Sequence, residues 1–301
     1  MGAGEAAAQT RPCYPFVIPQ IPSLARVEQY FQAARSAGMF SNFGPVSRAL
    51  AADLKRSYFP WAEVVTCSSC TTGLSAALLA IGGGGPVLIP AFTFPATASA
   101  VAGAGRRIIV GDVDSTSGLL DPHAVRRAVR DGNVGAVIAV RPYGRWSDLT
   151  DLAQACRREG LPLIIDNAAG LGVEAGEIAK FSVPDAIEVF SLHATKPFGV
   201  GEGGVIVCPP DRAAAVRAAL NFGLDGSRVV RPETGLNGKM DELTAAMART
   251  VLEDLPSRVT RRRAMAASMN IWAVRDGFGT LCAPGSEMVA SWQCFPLRLP
   301  R

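Results

Sequence analysis

The chain has 301 residues, of which 49% are hydrophobic and 19% charged, with a formal net charge of +4. This is an ordinary soluble composition, with enough apolar material for one large domain, or one and a smaller piece. Apolar stretches such as "LSAALLAIGGGGPVLIP" are cut by Gly and Pro well short of a bilayer span, which argues against an integral membrane protein.

The start of the chain carries Glu5 and no apolar signal-like region, and Ala6 breaks the myristoylation pattern after Gly2. With seven cysteines, an odd number, this points to a reducing, cytoplasmic setting. The positive charge is an arginine excess scattered along the chain. Its densest run, Arg261-Arg262-Arg263, reads as a solvated helix face, with an anionic partner as the alternative.

In chain order, short β-branched runs predict strands at 63–66 (EVVT), 86–90 (PVLIP), 106–111 (RRIIVG), 135–140 (GAVIAV), 161–166 (LPLIID), 186–191 (AIEVFS) and 203–208 (GGVIVC). Helices are expected near 71–81, 94–104, 122–130, 148–159 and 211–221. Asp121-Pro122 and Ser147-Asp148 supply N-terminal signals for the third and fourth, and His123 falls on the surface of the third. Fully apolar strands separated by helical crossovers predict an α/β fold, a mostly parallel sheet with helices on both faces. Ligands in such sheets sit at the carboxyl ends of the strands.

Three strand ends carry chemistry. "VVTCSSCTTGLSAALLAI" passes from strand into helix through small polar residues, so exposed N–H groups near Cys70 and Thr71 suit a phosphate; a plain capped helix is the alternative. Cys67 and Cys70 form a CxxC, but Cys13, Cys156, Cys208, Cys282 and Cys294 stand alone, so a zinc site is not expected. "LPLII" delivers Asp166, a carboxylate that needs a cation or hydrogen bonds if buried, or else caps the next segment. "FSLHATKPFG" delivers Lys196, one of only four lysines in the chain, ahead of Pro197. Lysine, unlike arginine, can lose its proton and act as an amine nucleophile. An amine, a carboxylate and a phosphate cradle are together what pyridoxal 5'-phosphate requires: a Schiff-base partner, a counter-ion for the pyridinium nitrogen and an anchor. A nicotinamide site at "GVGEGG" is disfavoured, because that run precedes a strand instead of following one.

Six stretches in order resemble the DegT/DnrJ/EryC1/StrS family of PLP-dependent sugar aminotransferases of fold type I, over roughly 20–255: "GMFSNFGPVSRALAADL", "SSCTTGLSAALLAI", "IPAFTFPATASAVAGAG" with "GDVD", "YGRWSDLTDLAQACRREGLPLIIDNAAG", "FSLHATKPFGVGEGGVIV" and "GLNGKMDELTAA". The resemblance implies a large PLP-binding domain (1–255) and a small C-terminal domain that begins at 256 and is largely missing by 301. It implies that Lys196 binds the cofactor and shuttles protons, and that Asp166 keeps the pyridine nitrogen protonated. Phe94 would stack on the ring, unless it is a core aromatic. Cys70, at a position where the family usually has Gly, would hold the phosphate with Thr71 and Ser191. Asn237 would reach that phosphate from the partner subunit of a homodimer with shared sites. His193 would line the pocket, or serve structure alone.

Ala169 stands where the family commonly has Gln or His, and the neighbouring Asn167 is expected to face elsewhere. "MVASWQCFPLRLPR" resembles the first strand of the small domain. Relatives with His at the lysine position are dehydratases, so Lys196 implies transamination: an amino group from glutamate or glutamine to a keto-sugar, nucleotide-linked, or a cyclitol. The alternative is a catalytically impaired PLP-binding scaffold in a family heterodimer. Nucleic-acid and membrane partners are not expected.

Overall fold

The computed structural model describes residues 17–225, 227, 229–230, 235–280 and 289–299. Gly2, Glu5, Ala6, Cys13, Cys282 and part of the loop 225–235 lie outside them. The strands are β1 (Glu63–Cys67), β2 (Val87–Pro90), β3 (Ile108–Gly111), β4 (Ala136–Val140), β5 (Arg145–Trp146), β6 (Leu163–Asp166), β7 (Ile187–Ser191), β8 (Gly204–Cys208), β9 (Gly279–Thr280), β10 (Val289–Ala290) and β11 (Leu297–Arg298). The helices are α1 (Leu24–Ala37), α2 (Pro45–Tyr58), α3 (Cys70–Ala80), α4 (Pro95–Gly103), α5 (Pro122–Asp131), α6 (Thr150–Arg158), α7 (Ala175–Ala179), α8 (Ala213–Leu220) and α9 (Glu242–Arg275).

All seven expected strands enter one sheet in the order β1-β8-β7-β6-β4-β2-β3. β8 runs against both of its neighbours, and the other pairings are parallel. Alternation sorts each strand between two cores. Val65, Ile89, Ile138, Ile164, Val189 and Ile206 face α3, α4 and α8. On the opposite face Val64, Phe190, Val205 and Val207 pack under α1, α2 and α9, while Leu88, Val137 and Ile165 pack under α5 and α6. Both faces of the central strands are therefore covered, which is why they read as largely apolar runs, while the edge strand β3 leaves Ile108 and Val110 exposed. Among the described residues no helix is long and apolar enough to cross a membrane.

The sheet order decides where the site forms. β1, β7 and β6 run in one direction, so their carboxyl ends share one edge with the start of the reversed strand β8. Cys67, Gly204, Ser191 and Asp166 consequently line up along that edge. α9, which sequence patterning did not predict, runs for 34 residues through residue 255 with Pro256 inside it. It is tied to α2 by buried Glu242, whose carboxylate accepts from Val46 N (2.6 Å) and Ser47 N (3.2 Å) at that helix's open N-terminus. The stretch 288–301, expected as one strand, instead makes two short ladders: β10 pairs with β5, and β11 with β9. Trp292, at φ 55°, turns the chain between them, and Pro296 offers no N–H to continue a ladder.

Behind the sheet edge lies a buried ion pair. Arg141 Nε is 3.0 Å from Glu188 Oε1. Asn167 Nδ2 donates to the same oxygen at 2.8 Å, and the Arg141 guanidinium also donates to the carbonyls of Ser147 and Phe181. Burial pushes the Glu188 carboxyl up and the Arg141 guanidinium down, each opposed by the other's charge. Removing one member strands the other in the core. Arg141→Met should lower unfolding free energy by about 3–5 kcal/mol, read from denaturant midpoints, and adding Glu188→Leu should recover most of that loss.

Candidate active site

Asp166 ends β6 with only 5% of its surface exposed. Its Oδ2 accepts from Thr97 Oγ1 at 2.7 Å, and Oδ1 from Ala168 N at 3.2 Å and, more weakly, from Cys70 Sγ at 3.9 Å. Thr97 lies in the first turn of α4 and is itself bonded to Thr93 (2.6 Å). Among the described residues no Lys or Arg forms an ion pair with Asp166, although Lys196 is near enough for its charge to favour the carboxylate. Burial nevertheless dominates and lifts the carboxyl above its ordinary value of 3.8. Burial and this carboxylate together push the Cys70 thiol well up, and burial takes Cys67 to about 12. Both thiols stay protonated, which makes the CxxC unsuited to redox exchange.

α3 begins at Cys70 with Ser69 as its cap, Ser69 Oγ accepting from Thr72 N at 3.1 Å. The N–H groups of Cys70 and Thr71, first and second in the helix, have no intrahelical acceptor and carry the positive end of its dipole. β8 crosses tightly against this turn: a Cβ on Gly204 would lie 2.7 Å from the Ser69 carbonyl carbon and 2.8 Å from Cys70 N, so the position is closed to any side chain. Ser191 closes β7 and orients the next turn by accepting from His193 N (3.1 Å).

Lys196 follows that turn, its N–H bonded to the His193 carbonyl (2.8 Å) and its Nζ donating to Gln293 Oε1 (3.3 Å). His193 is half-exposed, with Nδ1 2.9 Å from Thr195 Oγ1 and Nε2 3.6 Å from Glu202. Phe94, the residue before α4, is 75% exposed and so is no core aromatic. Asn237 is exposed and accepts from Lys239 Nζ (2.7 Å); the next residue, Gly238, accepts from Ser68 N (2.8 Å), which sets this segment beside the entry to α3.

At the family's Gln/His position, Ala169 gives only its carbonyl, which accepts from Ser291 Oγ. Asn167 turns the other way, to Glu188. His123 is exposed on α5, 3.1 Å from Arg126 Nη2. The run 261–263 is not simply a solvated face, because successive helical residues point about 100° apart. Arg261 is exposed, Arg262 turns in to donate to the Trp292 carbonyl (3.0 Å), and Arg263 faces Glu174 (3.8 Å).

Sequence reasoning had assigned no role to Thr97 or Gln293. Thr97 sits in a quoted stretch, three residues after Phe94, but nothing in that stretch signals a partner 69 residues away. Gln293 is 97 residues from Lys196, and nothing local in the sequence signals that contact. The set fits the pyridoxal phosphate that the resemblance implies. The buried carboxylate has no ion-pair partner among the described residues, and a protonated ring nitrogen would supply one. The uncovered N–H groups beside a small-residue turn await an anion, and an amine stands near both.

The Asp166 carboxyl allows a test free of catalysis. Because its pKa is raised in the folded protein, the burial penalty is absent below its ordinary value of 3.8 and grows as pH rises through and above that value. Freed of cofactor, Asp166→Asn should therefore melt at a higher temperature than the parent at pH 7, and calorimetry should show the advantage shrinking towards pH 4.

Residues 24–301 match the DegT/DnrJ/EryC1/StrS aminotransferase family. Protein Rv3402c of Mycobacterium tuberculosis is 32% identical over 86% of this chain and 65% of its own length. This chain thus spans slightly under two thirds of that relative. The dTDP-4-amino-4,6-dideoxy-D-glucose transaminase of Shigella dysenteriae is 28% identical over 93% of this chain and 75% of its own. Among solved structures, DesI in the presence of its TDP-sugar product superposes with a TM-score of 0.82 at 31% identity, covering 93% of this chain and 70% of DesI. The chain belongs to the DegT/DnrJ/EryC1/StrS aminotransferase family, whose fold is that of the fold type I enzymes and whose cofactor is pyridoxal phosphate.

Proposed function

We propose that this protein is an aminotransferase that moves an amino group from glutamate or glutamine to a keto-sugar carried on a nucleotide. The observation that carries the reading is the placement of Lys196, buried Asp166 and the open start of α3 at one sheet edge. Relatives named as acting on nucleotide sugars, including the UDP-2-acetamido-2-deoxy-3-oxo-D-glucuronate aminotransferase of Pseudomonas aeruginosa (29% identical over 71% of this chain), support the acceptor class. They are named as enzymes and lend nothing to a scaffold role.

Bound pyridoxal phosphate supplies an aldehyde for amine exchange and a ring that takes up electrons. Lys196 would hold the cofactor through Nζ and would move the proton at the substrate's reacting carbon. Asp166 holds the ring-nitrogen proton, steadied by Thr97 and Ala168. Phe94 covers one ring face. Cys70, Thr71 and Ser191 hold the phosphate, joined by Asn237 of the partner subunit, and His193 lines the entrance. Gln293 receives the Lys196 amine when it is free. We place the large domain at 1–255, with a second, small domain starting at 256. The free thiols of Cys67, Cys70, Cys156, Cys208 and Cys294 suit a cytoplasmic, reducing setting.

Lys196→Arg should lose both the visible absorbance of lysine-bound cofactor and all transamination, because a guanidinium cannot serve as the amine; retention of either in the purified variant sinks the assignment. For the shared site, Lys196→Ala and Asn237→Asp are each expected to be inactive. After subunit exchange, mixed dimers contain one site with both native residues, so donor-driven half-transamination should partly return. If the mixture of exchanging dimers stays dead, Asn237 does not act across the interface.

A further inference from the structure

Lys196 stands near the apex of the loop 192–203, which joins β7 to β8. The outer frame of that loop is main chain. Leu192 N donates to the Gly203 carbonyl (2.9 Å), Val200 N to that of Leu192 (2.9 Å) and Ala194 N to that of Gly201 (2.8 Å). The return is tight enough that a Cβ on Gly199 would lie 2.6 Å from the Ala194 carbonyl oxygen. None of these bonds reaches residues 195 or 196. Pro197 has no N–H, so the donors left to fix the lysine's backbone are its own and that of Thr195.

Both are taken up by His193, in a stepwise arrangement that starts at the strand end. Ser191 Oγ accepts from His193 N (3.1 Å). His193 Nδ1 accepts in turn from Thr195 N (3.3 Å) and lies 2.9 Å from Thr195 Oγ1. The His193 carbonyl then accepts from Lys196 N (2.8 Å). Each side-chain acceptor takes the N–H two residues further on, as in Asx and ST turns, and the last bond closes a turn over 193–196. Among the described residues the Thr195 N–H has no other acceptor. The second step needs Nδ1 without a proton, so a neutral ring carries its proton on Nε2, which faces Glu202 at 3.6 Å. A histidine placed for its charge, or only to touch a ligand, would not need to commit Nδ1 to the main chain beside the lysine.

Resting on the functional reading above, we infer that His193 is a positioning residue for Lys196: its Nδ1 fixes the turn that aims Nζ at the place where the cofactor is attached. Isosteres separate the two ring nitrogens. Asparagine Oδ1 falls where Nδ1 stands, the polar atoms of glutamine fall nearer Nε2, and leucine offers no acceptor. The full-length protein, freed of cofactor, is mixed with pyridoxal phosphate in a stopped-flow instrument. The rate at which the visible band of lysine-bound cofactor appears at saturation reports attachment, and the half-saturating concentration reports binding. His193→Asn should attach within about twofold of the parent, whereas His193→Gln and His193→Leu should attach about fivefold or more slowly, the factor carried by one net hydrogen bond, with half-saturation little changed. Hydrogen exchange of the peptide bearing Thr195, read by mass spectrometry on the loaded proteins, should be slow in the parent and His193→Asn and faster in the other two. Glu202→Gln, which alters only the Nε2 side, should behave as the parent does. The inference is overturned if His193→Gln or His193→Leu attaches as fast as the parent, if His193→Asn is as slow as His193→Leu, or if Glu202→Gln slows attachment, which would give the role to the ring's charge. Absence of the band in the parent itself, as opposed to its slowing in a variant, would count against the aminotransferase reading and take this inference with it.

Discussion

A carboxylate at the buried tip of a β-strand is unfavourable unless positive charge shares its site. At Asp166 the protein supplies hydrogen bonds from Thr97 and Ala168 and the more distant charge of Lys196, but no direct ion pair among the described residues. Much else in the fold is arranged around that shortfall. α4 begins where it does with Thr97 in its first turn, aimed at Oδ2. Cys70 opens α3 with its thiol towards Oδ1. In the function proposed above, a cofactor with a protonated ring nitrogen would complete the pairing, and the same defect that weakens the empty protein would favour the loaded one.

The sheet order turns this local arrangement into a site. Reversing β8 between β1 and β7 brings Gly204 against the start of α3, and the missing side chain there lets backbone approach backbone. The Arg141–Glu188–Asn167 cluster fixes β4, β6 and β7 from behind and draws Asn167 away from the site, leaving Asp166 as the polar group that β6 presents. Strength lies behind the strand ends, and uncompensated charge in front of them.

The sheet was readable because its strands are mostly apolar, several of them on both faces, a pattern local to five or six residues. Asp166 and Lys196 could be singled out as candidates because each closes such a run, or follows one closely, with chemistry that burial makes costly. What escaped depends on distance along the chain. α9 joins a face packed against α1 and α2 to a face lining a cavity beside Lys196, so no single apolar stripe runs its length. Gln293 meets Lys196, and Ser291 meets Ala169, only after the chain has returned from residue 275. The arginine run misled for a related reason: charge density along a sequence does not tell which guanidinium a helix turns inward.

The central claim is that Lys196 alone among four lysines stands where a cofactor paired with Asp166 can be attached. Borohydride reduction of the cofactor-loaded protein, followed by peptide mass spectrometry, tests it most directly. The account predicts a single pyridoxyl adduct on Lys196. An adduct on Lys55, Lys180 or Lys239 instead, or none on a protein that demonstrably holds the cofactor, would contradict it.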